Sequence, residues 1–363
     1  MNAPFASSSH RPSSVRVLVV DDSATIRGVF SHLVNGAEGL ELAGAFANAE
    51  DALSFLMEER VGVILLDLEM PGMTGFEALP RMIERAREAK IMIVSSLTAD
   101  GAEQTVRALE MGAADTLQKP QSGGFNEQYR ENLLTRIRAL GKRPLRRSDA
   151  PGAEAPASTA IPAPVLRTAS RERARVVAIG ASTGGIHAIG QCLAMLPASL
   201  RVPILVTQHL PESFIPAFAQ KLAEVCDRKA CVAREGLMLA PDTIYVAPGD
   251  AHLTVIREGN EMRIRLDQSA AANSCMPAID PMFSSVAKAY GPAALGIVLT
   301  GMGRDGTAGA ADIVAASGSV LVQNEATSAV WGMPGSVARA GYAAAILHPR
   351  DLGRRIVETV QGA

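Results

Sequence analysis

Short apolar runs alternate with longer amphipathic stretches along most of the chain. In the first part they fall at 15–20, 61–66, 91–94 and 114–117. Runs of that length, rich in Val, Ile and Leu and bounded by polar residues, read as buried strands. The stretches between them read as helices, and 129–140, amphipathic and rich in Arg, Leu and Glu, reads as a closing helix. This βαβα rhythm predicts a doubly wound parallel sheet. Near residue 141 it stops. Pro, Ala and Ser dominate from there through Pro164, basic at the start and without usable periodicity. That composition predicts a linker over 134–172 between domains at 15–133 and 173–360. From Arg175 a second α/β pattern begins, with strands expected at 175–179, 203–207, 243–246, 295–299 and 319–323. Residues 254–265 alternate about Gly259-Asn260, which predicts an antiparallel hairpin added to this second sheet.

Composition narrows the class. A chain of 363 residues suits about two domains, each with its own core. Hydrophobic residues make up 48%, charged residues 20%, and the formal charge is −2. This balance describes a soluble globular protein, with no electrostatic case for nucleic acid or an anionic membrane. The polar N-terminus lacks the apolar core of a signal peptide, and no run approaches the roughly 18 residues of a membrane helix. A cytoplasmic protein, not membrane-inserted and monomeric, is expected. Cys192, Cys226, Cys231 and Cys275 lack a second Cys/His pair to complete a zinc site, and read as reduced small hydrophobes.

Polar residues at the strand ends supply the first candidate chemistry. Asp21 and Asp22 close one run of the first domain, and Asp67 closes another. Three carboxylates brought together repel unless a hard cation sits among them, and oxygen-only ligation suits Mg²⁺. Ser95 and Lys119 close two further strands, where a hydroxyl and an ammonium would suit phosphate oxygens. Leu18-Val-Val-Asp-Asp22, Leu65-Leu-Asp-Leu-Glu-Met-Pro-Gly-Met-Thr-Gly75, Val94-Ser-Ser96 and Lys119-Pro120 together resemble the receiver domain of two-component response regulators. The resemblance covers roughly 15–133 and implies a flavodoxin-like fold. It implies that Asp67 accepts a phosphoryl group from a histidine kinase. Asp22, the Asp67 carboxylate and the Glu69 carbonyl would hold Mg²⁺ with help from Asp21. Ser95 would be the hydroxyl switch and Lys119 the phosphate contact. Thr74 stands where that family often has Asp.

The second candidate is the turn Gly180-Ala-Ser-Thr-Gly-Gly185 after the run 175–179. It lifts Ser182 to the carboxyl end of a strand, where open α/β sheets keep their sites. The amides that follow open a helix and favour negative charge. A nucleophilic serine, a dinucleotide pyrophosphate turn and a plain βα turn with an incidental serine all fit this string. The rest of the chain weighs against the dinucleotide. Gln208-His209, not an acid, ends the next strand, and neither Tyr245 nor Tyr290 has a lysine four residues on. His209 and Asp305, after the runs 203–207 and 295–299, sit at the same sheet edge and suit a base and its orienting acid. The order Ser182, His209, Asp305 differs from the Ser, acid, His order of α/β-hydrolases.

Gly180–Gly185, Gln208-His-Leu-Pro211, Ala247-Pro-Gly249, Thr300-Gly-Met-Gly-Arg-Asp-Gly306, Gln323-Asn-Glu-Ala326 and Trp331-Gly-Met-Pro334 together resemble the chemotaxis-type protein-glutamate methylesterases. This resemblance spans about 173–360, and a receiver, a linker and this domain in that order match the family's architecture. It implies a three-layer α/β hydrolase-type domain needing no cofactor of its own. The substrates would be glutamyl methyl esters on chemoreceptors, with selected receptor glutamines deamidated. Ser182 would be nucleophile, His209 general base then acid, and Asp305 the orienting carboxylate, with Thr183 and the Met302 amide in support. Leu210 replaces a common methionine, and Met276-Pro277-Ala278 stands where Arg-Pro-Ser is frequent. Two alternatives remain: a receiver-gated binding protein whose hydrolase domain has lost turnover, and a DNA-binding regulator. The second would show a short basic output domain, which is absent.

Overall fold

The computed structural model describes residues 14–86, 88–96, 99–120, 125–141, 164–271 and 275–362. Most of the expected linker therefore lies outside the described residues. Two compact units are present, and the chain passes between them at 95/96, 115/116 and 142/143.

The first unit is built on five strands, β1 Val15–Val20, β2 Leu40–Phe46, β3 Val63–Asp67, β4 Lys90–Ser95 and β5 Asp115–Gln118. Its helices are α1 Ala24–Asn35, α2 Ala49–Glu58, α3 Gly75–Arg85 and α5 Glu127–Gly141; α4, Ala99–Glu110, is grouped with the second unit. The sheet order is β2-β1-β3-β4-β5. Every residue of β3 is buried, as a central parallel strand covered on both faces requires. Capping fixes the helix starts. Ser23 accepts the Ile26 N–H at the head of α1, and Thr74 and Glu77 close a reciprocal capping box on α3. The strand order reverses between β1 and β3, so Asp21 and Asp67 come together at the switch point.

In the second unit a seven-stranded sheet has the order β14-β13-β12-β6-β7-β9-β8. Its strands are β6 Val176–Ala181, β7 Ile204–Gln208, β8 Lys229–Val232, β9 Thr243–Val246, β12 Ala294–Val298, β13 Ser319–Gln323 and β14 Ala345–Leu347. The helices are α6 Gly185–Leu193, α7 Ile215–Cys226, α8 Ile279–Tyr290, α9 Thr307–Ala315, α10 Met333–Arg339 and α11 Pro349–Gln361. β6, β7, β12 and β13 are buried along their whole length. Ile279, Met282, Phe283 and Val286 of α8 pack onto this sheet with Val298 and Ile313.

β10 His252–Glu258 and β11 Glu261–Asp267 form the hairpin, with Gly259 and Asn260 as its two-residue turn. Gly259 has φ +61°, the left-handed conformation such a turn demands. The hairpin ladders as a separate two-stranded sheet and does not extend the parallel one. Three strands escaped the apolar pattern. β2 carries Gly44 and only one fully buried residue, while β8 and β14 are short edge strands with partly exposed side chains.

Candidate functional sites

The acidic site of the first unit grows from its sheet edge. Asp67 ends β3 in register with Val94, one residue before the Ser95 that ends the neighbouring β4, and Asp21 follows β1. Asp67, 2% exposed, lies 2.6 Å from Lys119 Nζ, which also lies 3.0 Å from Asp21 Oδ2. Lys119 is tied to β4 by its own N–H, which donates to the Ser95 carbonyl at 2.8 Å. The Glu69 N–H donates to Asp67 Oδ1 at 3.2 Å, so residue 69 borders the same pocket. Carboxylate oxygens of Asp21, Asp22 and Asp67 all lie within 4.8 Å of one another. An all-oxygen set of this kind, with Asp22 exposed and the other two buried, fits a hard divalent cation that keeps part of its water.

Burial dominates the electrostatics of Asp67 and raises its pKa to about 6. The bond and charge of Lys119 oppose that shift, and the neighbouring Asp21 adds to it. Burial would lower Lys119 in turn, yet its two carboxylate partners prevail and raise it. Asp67 is thus short of donors.

The site of the second unit sits at the carboxyl ends of three neighbouring strands, β12, β6 and β7, again where the strand order reverses. Ser182 directly follows β6 and His209 directly follows β7. Those strands run in register to Ala181 beside Gln208, and the His209 N–H donates to the Ala181 carbonyl at 3.1 Å. The Ser182 N–H donates to the Thr300 carbonyl at 3.0 Å, just past β12. Gly301 lies so close that a Cβ there would stand 2.7 Å from the Ser182 Cβ. Gly184, at φ +76°, opens α6 in a left-handed conformation suited to glycine. Ser182 itself is partly exposed.

His209 Nε2 lies 2.8 Å from Asp305 Oδ2. A carboxylate only accepts, so the proton is on Nε2 and the Nδ1 lone pair is left free for a base. Asp305, 3% exposed, is saturated with donors. Oδ2 also accepts the Ile279 N–H at 2.7 Å, and Oδ1 accepts those of Gly306 at 2.8 Å and Asp280 at 3.1 Å. Burial alone would raise this carboxyl; the His209 bond and charge, with the Ile279 and Asp280 amides, outweigh it and hold its pKa below the ordinary value.

Thr183 is buried, and its carbonyl accepts the Thr300 hydroxyl at 2.8 Å. Met302, partly buried, follows Gly301. His252 belongs to another network: it is fully buried, and its ring bridges the Ala278 N–H and the Ser269 carbonyl. Gln208 is a contributor that sequence reading passed over. Its Nε2 donates to the carbonyls of Ser182 at 2.9 Å and His209 at 3.3 Å, joining the two residues by one amide. A buried polar residue ending a strand beside His209 was the available signal. Cys192 and Cys226 are buried free thiols pushed up to about 12 by that burial, and so are unreactive.

Comparison with known proteins bears on both sites. The CheB methylesterase family matches residues 177–356, and the response regulator receiver domain matches residues 17–125. A protein-glutamate methylesterase/protein-glutamine glutaminase of Maricaulis maris is 40% identical, over 99% of this chain and 98% of its own. The chain belongs to this family. A second member, from Caulobacter vibrioides, is 42% identical over 93% of this chain and 97% of its own. Among solved structures, the Thermotoga maritima CheB methylesterase catalytic domain superposes with a TM-score of 0.50 at 33% identity, covering 51% of this chain and 98% of that one. The membership agrees with the α/β architecture, and no helix among the described residues is long and apolar enough to cross a membrane.

Proposed function

We propose that this methylesterase-family chain hydrolyses glutamyl methyl esters on chemoreceptors and deamidates selected receptor glutamines, under control of phosphorylation at Asp67. The observation that carries the catalytic reading is the 2.8 Å bond between His209 Nε2 and a donor-saturated Asp305, beside Ser182 on the neighbouring strand end. The Ser182 hydroxyl gives its proton to His209 Nδ1 as its oxygen attacks the ester carbonyl carbon. The resulting oxyanion is met by the Met302 amide, a placement supported by the close approach of Gly301 to Ser182, with Thr183 in support. His209 returns the proton to the leaving atom, the ester oxygen so that methanol departs, or the amide nitrogen of a glutamine so that ammonia does. Water, activated by the same histidine, then cleaves the acyl-serine and restores the carboxylate. Asp305 keeps the ring in its Nε2–H form and offsets the imidazolium charge that develops.

In the receiver, the Asp67 carboxylate attacks the phosphorus of a phosphohistidine on the kinase and displaces the imidazole. Mg²⁺, when bound, would offset charge on the phosphoryl oxygens, held by the Asp21, Asp22 and Asp67 carboxylates and the Glu69 carbonyl. Ser95 and Lys119 contact those oxygens. The functional domains are a receiver from 15 through the end of α5 at Gly141 and a catalytic domain over 173–360, joined by the residues between them, in a cytoplasmic monomer; the linker expected to begin at 134 starts only after that helix. The test is to incubate the full chain with methylated receptor, with and without Mg²⁺ and a small phosphodonor. Methanol and ammonia should be released, faster with the donor. Release of neither from a phosphorylated chain would contradict the assignment.

A further inference from the structure

Resting on the hydrolase reading above, we infer that Asp280 is a positioning residue of the catalytic site: a second carboxyl group whose protonation state sets how firmly Asp305 holds His209. Asp280 lies in the first turn of α8, and its own N–H donates to Asp305 Oδ1 at 3.1 Å. Its side chain points the same way. Asp280 Oδ1 accepts the Gly309 N–H of α9 at 2.7 Å, and its carboxyl lies within hydrogen-bonding reach of that of Asp305. The amino ends of α8 and α9 therefore share two carboxyl groups, one engaged with His209 and one behind it.

The two acids are unequal. Asp305 has four donors, counting His209, whereas Asp280 has the Gly309 amide of α9 and a weaker share of the Gly306 amide that also serves Asp305. The proton taken up on acidification therefore goes to Asp280. Burial and the facing Asp305 charge raise its pKa to about 6, from an ordinary 3.8. Other titratable groups near α8 are otherwise engaged. β6 and β12 carry none. β10 brings His252, bound to the Ala278 N–H, with Arg257 and Glu258 at its other end, where Arg257 bonds the Ala289 carbonyl. Asp312 of α9 accepts the Ser284 hydroxyl. Once protonated, Asp280 donates an O–H to Asp305 and competes with His209 Nε2 for the same carboxylate. Ionised, it accepts only, and leaves Asp305 to the histidine.

The experiment is the pH dependence of kcat/KM for methanol release between pH 5 and 8.5, using phosphorylated full-length chains. Asp280→Asn places a permanent NH₂ donor against Asp305, and so mimics the protonated acid. It should lie about tenfold below wild type at pH 8, the scale of one competing hydrogen bond to a charged group. The two profiles should converge near pH 5, where wild type is protonated as well. Asp280→Glu, which keeps the carboxyl, should restore part of the wild-type shape. Ratios between chains cancel the shared behaviour of the receiver. A second measurement needs no variant: the Gly309 amide resonance of wild type should titrate with a midpoint near 6. An Asp280→Asn profile parallel to wild type at all pH values would show a purely structural role and overturn the inference. So would a Gly309 resonance with no inflection between pH 5 and 7.5. If wild type released no methanol at any pH, the hydrolase reading would fail first.

Discussion

Asp67 and Asp305 are buried to nearly the same degree, 2% and 3% exposed, each at the carboxyl edge of a parallel sheet where the strand order reverses. Their charges behave oppositely. Asp67 rises to about 6, while Asp305 falls below its ordinary value. Burial penalises both carboxylates, so burial does not make the difference. Donor count does. Asp67 has Lys119 and one amide, and shares its lysine with Asp21, whereas Asp305 has three amides and a histidine. A carboxylate short of donors is prepared to receive a cation and a phosphoryl group. One with every lone pair occupied is prepared to keep its charge and its place while chemistry proceeds nearby.

The largest expected effect breaks the saturated site. His209→Gln should lower kcat for methanol release by about 10³–10⁶-fold, because an unassisted serine is a poor nucleophile at neutral pH. Asp305→Asn should cost less, about 10³–10⁴-fold, acting through the ring it orients. A combined His209→Gln/Asp305→Asn chain should fall little further than His209→Gln alone, which steady-state kinetics on the purified chains will show.

A cut through the linker separates the two sites. A chain beginning near Arg173 should show methanol release that no longer responds to phosphodonor, whereas the full chain should be stimulated by it. Equal activity in that fragment and in the unphosphorylated full chain would exclude restraint by the receiver.

The same substitution at both positions should have opposite effects on stability. Asp67 titrates higher in the fold than in the unfolded chain, so its contribution to stability falls as pH rises from about 4 to 6, and the penalty persists at neutral pH. Asp67→Asn, measured at pH 7.5 without divalent cation, should therefore stabilise the receiver transition by about 1–2 kcal/mol, below the roughly 3 kcal/mol the full shift represents because Lys119 loses a charged partner. Asp305 titrates lower in the fold. Its contribution is complete above its unfolded value and is lost as pH falls through the folded one, so Asp305→Asn should destabilise the catalytic transition. Calorimetry of the full chain reads both. Shifts of one sign would remove the contrast.

The smallest effect concerns substrate choice. Met276 is 39% exposed, three residues before the Ile279 amide that holds Asp305, and so is not packed away inside. Asn273 and Ser274 of the same segment lie outside the described residues. Met276→Arg should shift KM about two- to five-fold among receptors differing in local charge, with kcat nearly constant and a new salt dependence. A uniform fall in kcat would instead place Met276 in the turnover machinery.

Much of this was legible in the sequence. Asp21, Asp67, Ser95, Lys119, Ser182 and His209 each end or directly follow a buried run, and a parallel sheet gathers such residues at one edge. What escaped has physical causes. β8 and β14 lie at sheet edges, where half-exposed side chains blur the apolar signal. The donors that separate Asp305 from Asp67 are mostly peptide N–H groups of Ile279, Asp280 and Gly306, which every residue but proline possesses. Only the packing of α8 beside α9 aims them at one carboxylate. Gln208 was visible as a residue but not as a bridge, because its two acceptors are main-chain carbonyls.

The measurement that bears most directly on the catalytic assignment is methanol release by Ser182→Ala, phosphorylated at Asp67 and compared with wild type on the same methylated receptor. Phosphorylation and the folded spectrum should be unchanged, since Ser182 is partly exposed and its contacts with the Thr300 and Gln208 networks are made through its backbone. Turnover should fall by at least about 10³-fold, toward the residue of catalysis that binding and the oxyanion site supply alone. Release within a few-fold of wild type would contradict a serine mechanism at this sheet edge.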